Sequence, residues 1–190
     1  QRSLNDITKS WLYKPLNMNS TMYIPEKVLL SRIVPTEFDS LYRGRMIQGE
    51  VHDENTFLMG GVSSHAGIFS TSQNLANYAQ MYINKGTWLG RRIFNESIIK
   101  EFTSRQYMPE NSDYAIGWDT PSRNGTSSAG DFYSNNSFGH LGFTGTSIWI
   151  DPDNEVVIVL LTNRVHPSRE NNRIYGIRRK FHNYAMRSIL

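Results

Sequence analysis

The sequence predicts an α/β fold of the α+β kind, with an antiparallel sheet flanked by helices. Three observations predict it. A histidine between glycines, Phe138-Gly139-His140-Leu141-Gly142, leads into an apolar hairpin over 143–163. Both arms of that hairpin are apolar on both faces, so the sheet needs cover on two sides. Segments at 72–105 and about 170–188 repeat apolar residues at helical spacing and can supply that cover.

The elements follow in chain order. Leu4, Ile7, Trp11 and Leu12 predict a helix from Ser3 to Tyr13, stopped by Pro15, with Asn17 free to take a left-handed backbone. Residues 19–50 read as irregular, with Pro25 and Pro35, and as an excursion packed against another part of the protein. Glycine clusters around His65, in Gly60-Gly61-Val62-Ser63-Ser64-His65-Ala66-Gly67, suggest backbone in close contact with a neighbour.

Ser72 is the expected N-cap of a helix whose apolar face is Leu75, Tyr78, Ala79 and Tyr82, with Gly86 as its C′ residue. Asn95 is expected to cap a second helix with Ile98, Ile99 and Phe102 inside. Strands are expected at about 114–119, 138–150 and 155–163, with a Ser/Asn/Gly loop over 121–137 and a turn at Asp151-Pro152-Asp153-Asn154. The last helix is expected to turn Ile174, Ile177, Phe181, Tyr184 and Ala185 inward.

Composition narrows the function classes. With 38% apolar and 19% charged residues the chain reads as globular rather than disordered. The net charge of +3 comes with arginines gathered late, from Arg164 to Arg187, and without interleaved stacking aromatics. That pattern fits a solvated helix face, so no nucleic-acid partner is expected. The absence of cysteine excludes a disulfide scaffold, thiolate metal sites and a cysteine nucleophile. No run approaches a membrane span, and we expect no cofactor and no metal. The five histidines show no His-x-x-x-His spacing, and His166 and His182 are expected at the surface. His52-Asp53-Glu54 reads as structural, because neighbouring residues in extended chain point to opposite faces. The chain starts at Gln1 without an initiating methionine or signal peptide and is expected to begin in mid-sequence.

Four stretches carry a resemblance. They are Tyr13-Lys14-Pro15-Leu16-Asn17-Met18-Asn19-Ser20-Thr21; Gly61 to Thr71 with the helix after it; Gly139-His140-Leu141-Gly142-Phe143-Thr144-Gly145; and Trp149-Ile150-Asp151-Pro152 through Leu161-Thr162-Asn163. In this order they resemble the C-terminal half of the serine β-lactamase and penicillin-binding-protein superfamily, in its class C-like esterase and DD-peptidase branch. The resemblance implies a single partial domain over 1–190. Strands, a helix and the nucleophile, which the family supplies from Ser-x-x-Lys, are expected outside this chain.

The same resemblance assigns site residues. The third stretch corresponds to the family's Lys-Thr-Gly or His-Thr-Gly motif, so His140 becomes a catalytic side chain that helps hold substrate. The Phe143 N–H becomes half of an oxyanion hole. Leu141, Gly142 and Thr144 would line the substrate, with Leu141 standing where the family usually has threonine. A histidine that is mostly neutral near pH 7, and the lost hydroxyl, lean away from a penicillinase and toward an esterase, amidase or peptidase. Tyr133-Ser134-Asn135 spells the family's Tyr-x-Asn motif but lies too near His140, so it is a decoy. The implied protein is a periplasmic or cell-surface serine hydrolase acting on a small-molecule or peptidoglycan-type substrate, with this chain inactive alone. Uncovered apolar surface offers the chain a route to self-association. The alternative is a non-catalytic binding or scaffold module of a larger envelope protein.

Overall fold

Residues 1–123, 125 and 127–190 are described by a computed structural model; Asn124 and Thr126, within the expected 121–137 loop, lie outside the described residues. The chain opens with helix α1 (Leu4–Thr8), whose N-cap Ser3 and Asp6 form a reciprocal capping box. It continues as a wider π-helical turn, Lys9–Tyr13. Asn17 is left-handed, as expected, at φ 56°.

The excursion at 19–50 contains more structure than irregular chain. Strand β1 (Met22–Tyr23) and a 3₁₀ turn (Lys27–Arg32) come first, then the paired strands β2 (Phe38–Asp39) and β3 (Arg45–Met46). Two-residue strands carry no periodicity, so sequence pattern could not announce them. The excursion packs against the segment after the sheet, with Phe38 N–H donating to Pro167 O at 3.0 Å and Asn163 Nδ2 to Pro35 O at 2.5 Å.

Helix α2 (Glu54–Leu58) is capped by Asp53, and β4 (Ile68–Phe69) pairs with β1. Helix α3 (Ser72–Ile83) starts one residue earlier than expected at the cap: Thr71, not Ser72, accepts from Asn74 N–H. Its end is also displaced by one. Lys85 N–H donates to Tyr82 O at 2.9 Å and Gly86 N–H to Met81 O at 2.8 Å, the Schellman pattern with Gly86 at C″. A hairpin of β5 (Thr87–Trp88) and β6 (Arg91–Arg92) leads to α4 (Glu96–Thr103), capped at Asn95 as expected. Of the three residues expected inside, only Ile99 is buried; Ile98 and Phe102 are exposed. Ile99 packs with Tyr13, Leu16, Met18 and Met81, so α4 covers the first helix and not the sheet.

The sheet has strand order β7 (Phe138–Leu141), β8 (Ser147–Asp151), β9 (Val156–Leu160), all antiparallel. The expected strand at 114–119 is reduced to isolated bridges, Tyr114 to Asp119 and Asp119 to Gly139. Ala115 N–H donates to Trp118 O at 2.8 Å around Gly117, so the segment turns back on itself too soon to extend a ladder. The 138–150 strand is likewise interrupted, because Gly142–Thr146 leaves the pleat as a loop.

Both faces of the sheet are covered, as expected. Phe138 and Ile150 pack with Ala79 of α3 on one side. Trp149, Val156 and Ile158 pack with Met186 of α5 (Ile174–Ile189) on the other. The inner face of α5 differs from the expected one: Ile174, Arg178, His182 and Met186 are buried, whereas Ile177 and Tyr184 are exposed. An i, i+4 row containing Arg and His does not read as apolar. It is inward with most of its polar atoms partnered there, Arg178 Nε excepted. Tyr133 OH lies 3.1 Å from His182 Nδ1, Ser147 Oγ lies 3.0 Å from Nε2, and Arg178 donates to Thr146 O at 3.1 Å. His182, expected at the surface, is therefore fully buried. Burial and the nearby charge of Arg178 hold its pKa down at about 4, so the ring is neutral.

Candidate active-site edge

The β7–β8 loop is shaped from beneath. Gly142 N–H donates to Thr146 O at 2.8 Å, and Gly145 N–H returns to Gly142 O at 3.0 Å. A Cβ on Gly142 would collide with Thr146 Oγ1, so a larger residue here would have to turn that hydroxyl away. Gly139 has a different reason. Its missing side chain makes room for the Trp149 ring and the Ile148 carbonyl.

His140 is exposed at the end of β7. Its Nδ1 is 2.8 Å from Leu141 O, and a carbonyl only accepts, so Nδ1 carries the proton. In the neutral ring Nε2 is then the acceptor, facing outward for a substrate or a proton. Asp119 is bridged to the adjacent Gly139, and burial raises its carboxyl pKa.

Phe143 is 58% exposed, and its N–H donates to no atom among the described residues. Its ring stacks on His52, with centroids 5.6 Å apart, and the Arg164 guanidinium carbon lies 4.4 Å from its centroid. Leu141, Gly142 and Thr144 are half-buried around it. Thr144 O accepts from Arg164 N–H at 2.9 Å. The structure thus brings all five expected residues onto one short edge.

A second cluster supports this edge. His52 Nε2 is 2.8 Å from Glu37 Oε2, both residues being buried. Arg169 donates to Glu37 from its backbone at 2.9 Å and its side chain at 2.8 Å, and reaches Glu54 at 2.5 Å. Burial pushes the Glu37 carboxyl up, but hydrogen bonds from Arg169 and His52 and the Arg169 charge outweigh it, giving about 2. His52 and Glu54 do converge, two residues apart on one side of the chain, on a Glu–Arg pair that sequence spacing could not reveal. Asp53 faces elsewhere, capping α2 and meeting His65 Nε2 at 3.2 Å, while Ser63 holds His65 Nδ1 at 2.7 Å. His65 is thus a hydrogen-bonded loop residue. Among the described residues no three His, Asp or Glu side chains are grouped to hold a metal ion.

Two sequence motifs resolve differently from each other. Tyr133-Ser134-Asn135 is structural, because Tyr133 bonds His182 and Ser134 Oγ donates to Asp151 Oδ1 at 2.7 Å. Ser97-Ile98-Ile99-Lys100 in α4 does spell Ser-x-x-Lys, against the expectation that this chain contains no such motif. Both ends are exposed, no hydrogen bond joins the Ser97 hydroxyl to Lys100 among the described residues, and α4 packs on the first helix. It is not the nucleophile motif of the β7 edge.

Residues 1–180 match the family model described as Beta-lactamase. The chain belongs to the Beta-lactamase family. Among curated relatives, the N-acetylmuramyl-L-alanine amidase of Bacillus subtilis (strain 168) is 36% identical over 185 residues, covering 87% of this chain and 40% of that protein. A Salmonella gallinarum protein named "Putative D-alanyl-D-alanine carboxypeptidase" is 33% identical, covering 90% of this chain and 42% of that one. The chain therefore spans about 40% of the length of these relatives. Solved structures share the fold. A penicillin-binding protein homologue from Caulobacter crescentus gives a TM-score of 0.63 at 15% identity, covering 97% of this chain and 53% of that one. The unliganded simvastatin synthase of Aspergillus terreus gives 0.66 at 11% identity, covering 98% and 50%. No helix among the described residues is long and apolar enough to cross a membrane.

Proposed function

We propose that this chain forms one wall of a serine hydrolase active site, acting by acyl transfer to a serine carried outside these 190 residues. The observation that carries the reading is the unbonded Phe143 N–H beside the exposed His140 on one edge of the sheet. A tetrahedral intermediate needs a donor aimed at its oxyanion, and a glycine-turn amide that spends its hydrogen bond nowhere else is such a donor. His140 positions substrate and exchanges a proton through Nε2; Leu141, Gly142 and Thr144 line the leaving or acyl side.

The substrate class we infer is an amide or peptide bond of peptidoglycan, since the relatives named above are an amidase and a carboxypeptidase by name. Such a substrate places the protein in the cell envelope. The outer edge of β9 has no partner strand among the described residues, and the apolar stripe of Ile177 and Tyr184 is uncovered. Both fit an N-terminal half that completes sheet and site; self-association would use the same surfaces.

The test is labelling of the protein made from the full reading frame with fluorophosphonate and penicillin probes, read as a mass increase on a serine. Labelling at a Ser-x-x-Lys serine upstream of Gln1 is the expected result. A folded protein that neither probe labels contradicts the reading and favours a binding module.

A further inference from the structure

Two buried arginines lie directly beneath the Gly142–Thr146 loop. Arg178 is 4% exposed and Arg164 7% exposed. Neither has a carboxylate partner among the described residues. Their hydrogen bonds go to carbonyl and amide oxygens instead. Arg178 donates to Thr146 O at 3.1 Å and, more loosely, to Gly142 O at 3.4 Å, and its Nε is buried without any acceptor. Arg164 Nε donates to Phe143 O at 2.8 Å, while NH1 serves Arg169 O at 2.7 Å, Asn171 O at 3.1 Å and Asn172 Oδ1 at 3.4 Å.

Burying two guanidinium groups on neutral acceptors costs free energy that an apolar pair would avoid. Carbonyls solvate a cation but leave its charge uncancelled. Burial lowers the Arg178 pKa, Tyr175 opposes that, and the charge of Arg164 adds a smaller lowering.

The arrangement has a direction. The carbonyl held by Arg178 at Gly142 belongs to the same peptide group as the Phe143 N–H. The carbonyl held by Arg164 at Phe143 belongs to the same peptide group as the Thr144 N–H. Neither amide donates to any atom among the described residues. In each peptide group a cation draws electrons through the carbonyl, and the opposite end becomes a stronger donor. Arg178 reaches both carbonyls of the turn from one terminal guanidinium nitrogen, and a guanidinium keeps its charge when buried, whereas a buried lysine ammonium readily loses its proton.

We propose that Arg164 and Arg178 form a buried cationic base that fixes this loop with its amides outward and strengthens the Phe143 N–H as an oxyanion donor. Both are positioning residues, acting through the loop backbone. The inference rests on the oxyanion role given to Phe143 above, but it makes a claim that needs no turnover.

Amide exchange with solvent in base removes the N–H proton to hydroxide, giving water and an imidate whose charge rests on the carbonyl oxygen. For Phe143 that oxygen is Gly142 O, the acceptor of Arg178. A cation there speeds exchange for the same reason that it would stabilise a bound oxyanion. The experiment measures Phe143 amide exchange by NMR in this chain, in the wild type, Arg178→Lys and Arg178→Met, with circular dichroism to confirm folding. The expected order is wild type, then Lys, then Met, with roughly tenfold slower exchange in the folded Met variant. An unchanged rate in a folded Met variant overturns the proposal. Should that variant fail to fold, Arg178→Lys decides, since about threefold slowing is expected and equal rates overturn it.

In the full-length protein the expected result for Arg178→Met is a kcat roughly tenfold lower at nearly constant KM. A rise in KM alone at unchanged kcat contradicts it. If the wild type is not acylated at all, the hydrolase reading fails while the exchange result still judges the cationic base.

Discussion

The sheet with its helix α5 and the 19–50 excursion with the His52–Glu54 segment after it are built on opposite principles. The sheet buries Trp149 and Ile150 completely and repeats its hydrogen bonds along two ladders. The excursion has two-residue strands and depends on point contacts, chiefly Glu37 with Arg169 and His52. Both end at Phe143, the one supplying its backbone and the other a stacking partner for its ring. A packed sheet and a charge-latched excursion therefore meet at the proposed oxyanion donor. The two should fail under different insults.

The largest contrast is in packing. Trp149→Ala empties the sheet core and should cost about 3–5 kcal/mol, read by urea unfolding. A loss under about 1 kcal/mol would mean that this core is loosely packed. Next comes acid. His182 titrates at about 4 in the folded chain against an ordinary 6.5. The folded state thus binds fewer protons between those values. This contribution to stability, up to roughly 3 kcal/mol, is complete above pH 6.5 and is lost as the pH falls toward 4. His182→Gln should remove that slope from stability measured against pH; an unchanged slope would place the acid sensitivity elsewhere.

The excursion has a lower window. Glu37 is held at about 2 against 4.5 unfolded, so its contribution is present above pH 4.5 and is lost as the pH falls through 2. Glu37→Gln should cost about 1–2 kcal/mol, discounted because Arg169 is partly exposed, and should speed exchange of the Phe38 and Ile47 amides while sparing β8. Equal speeding in both regions would break the distinction. The smallest effect is expected from Phe143→Ala, under about 1 kcal/mol in stability because the ring is mostly exposed. A larger loss would make the His52 stack a structural tie.

What could be read from the sequence divides along the same line. The hairpin, its Asp151 turn and the helices over it carry strong periodicity or turn residues. In that turn Asp151 is buried, accepting from Ser134 and from the Asp153 and Asn154 amides. The edge residues His140 to Thr144 were legible only through motif resemblance. The buried face of α5 was not legible, because a pattern of apolar residues cannot foresee Arg178 and His182 turned inward onto polar partners. The Glu37–His52–Arg169 latch joins residues more than a hundred positions apart, and no local spacing encodes it. Even the glycines divide: Gly142 serves the turn and Gly139 serves Trp149.

The most direct measurement of the central claim is the infrared carbonyl stretch of the acyl group on the serine of the full-length protein. A donor at Phe143 N–H should lower that stretch relative to the same ester in water, and Arg178→Met should return part of the shift. An acyl carbonyl at or above the frequency of the ester in water, in wild type and variant alike, would contradict the account.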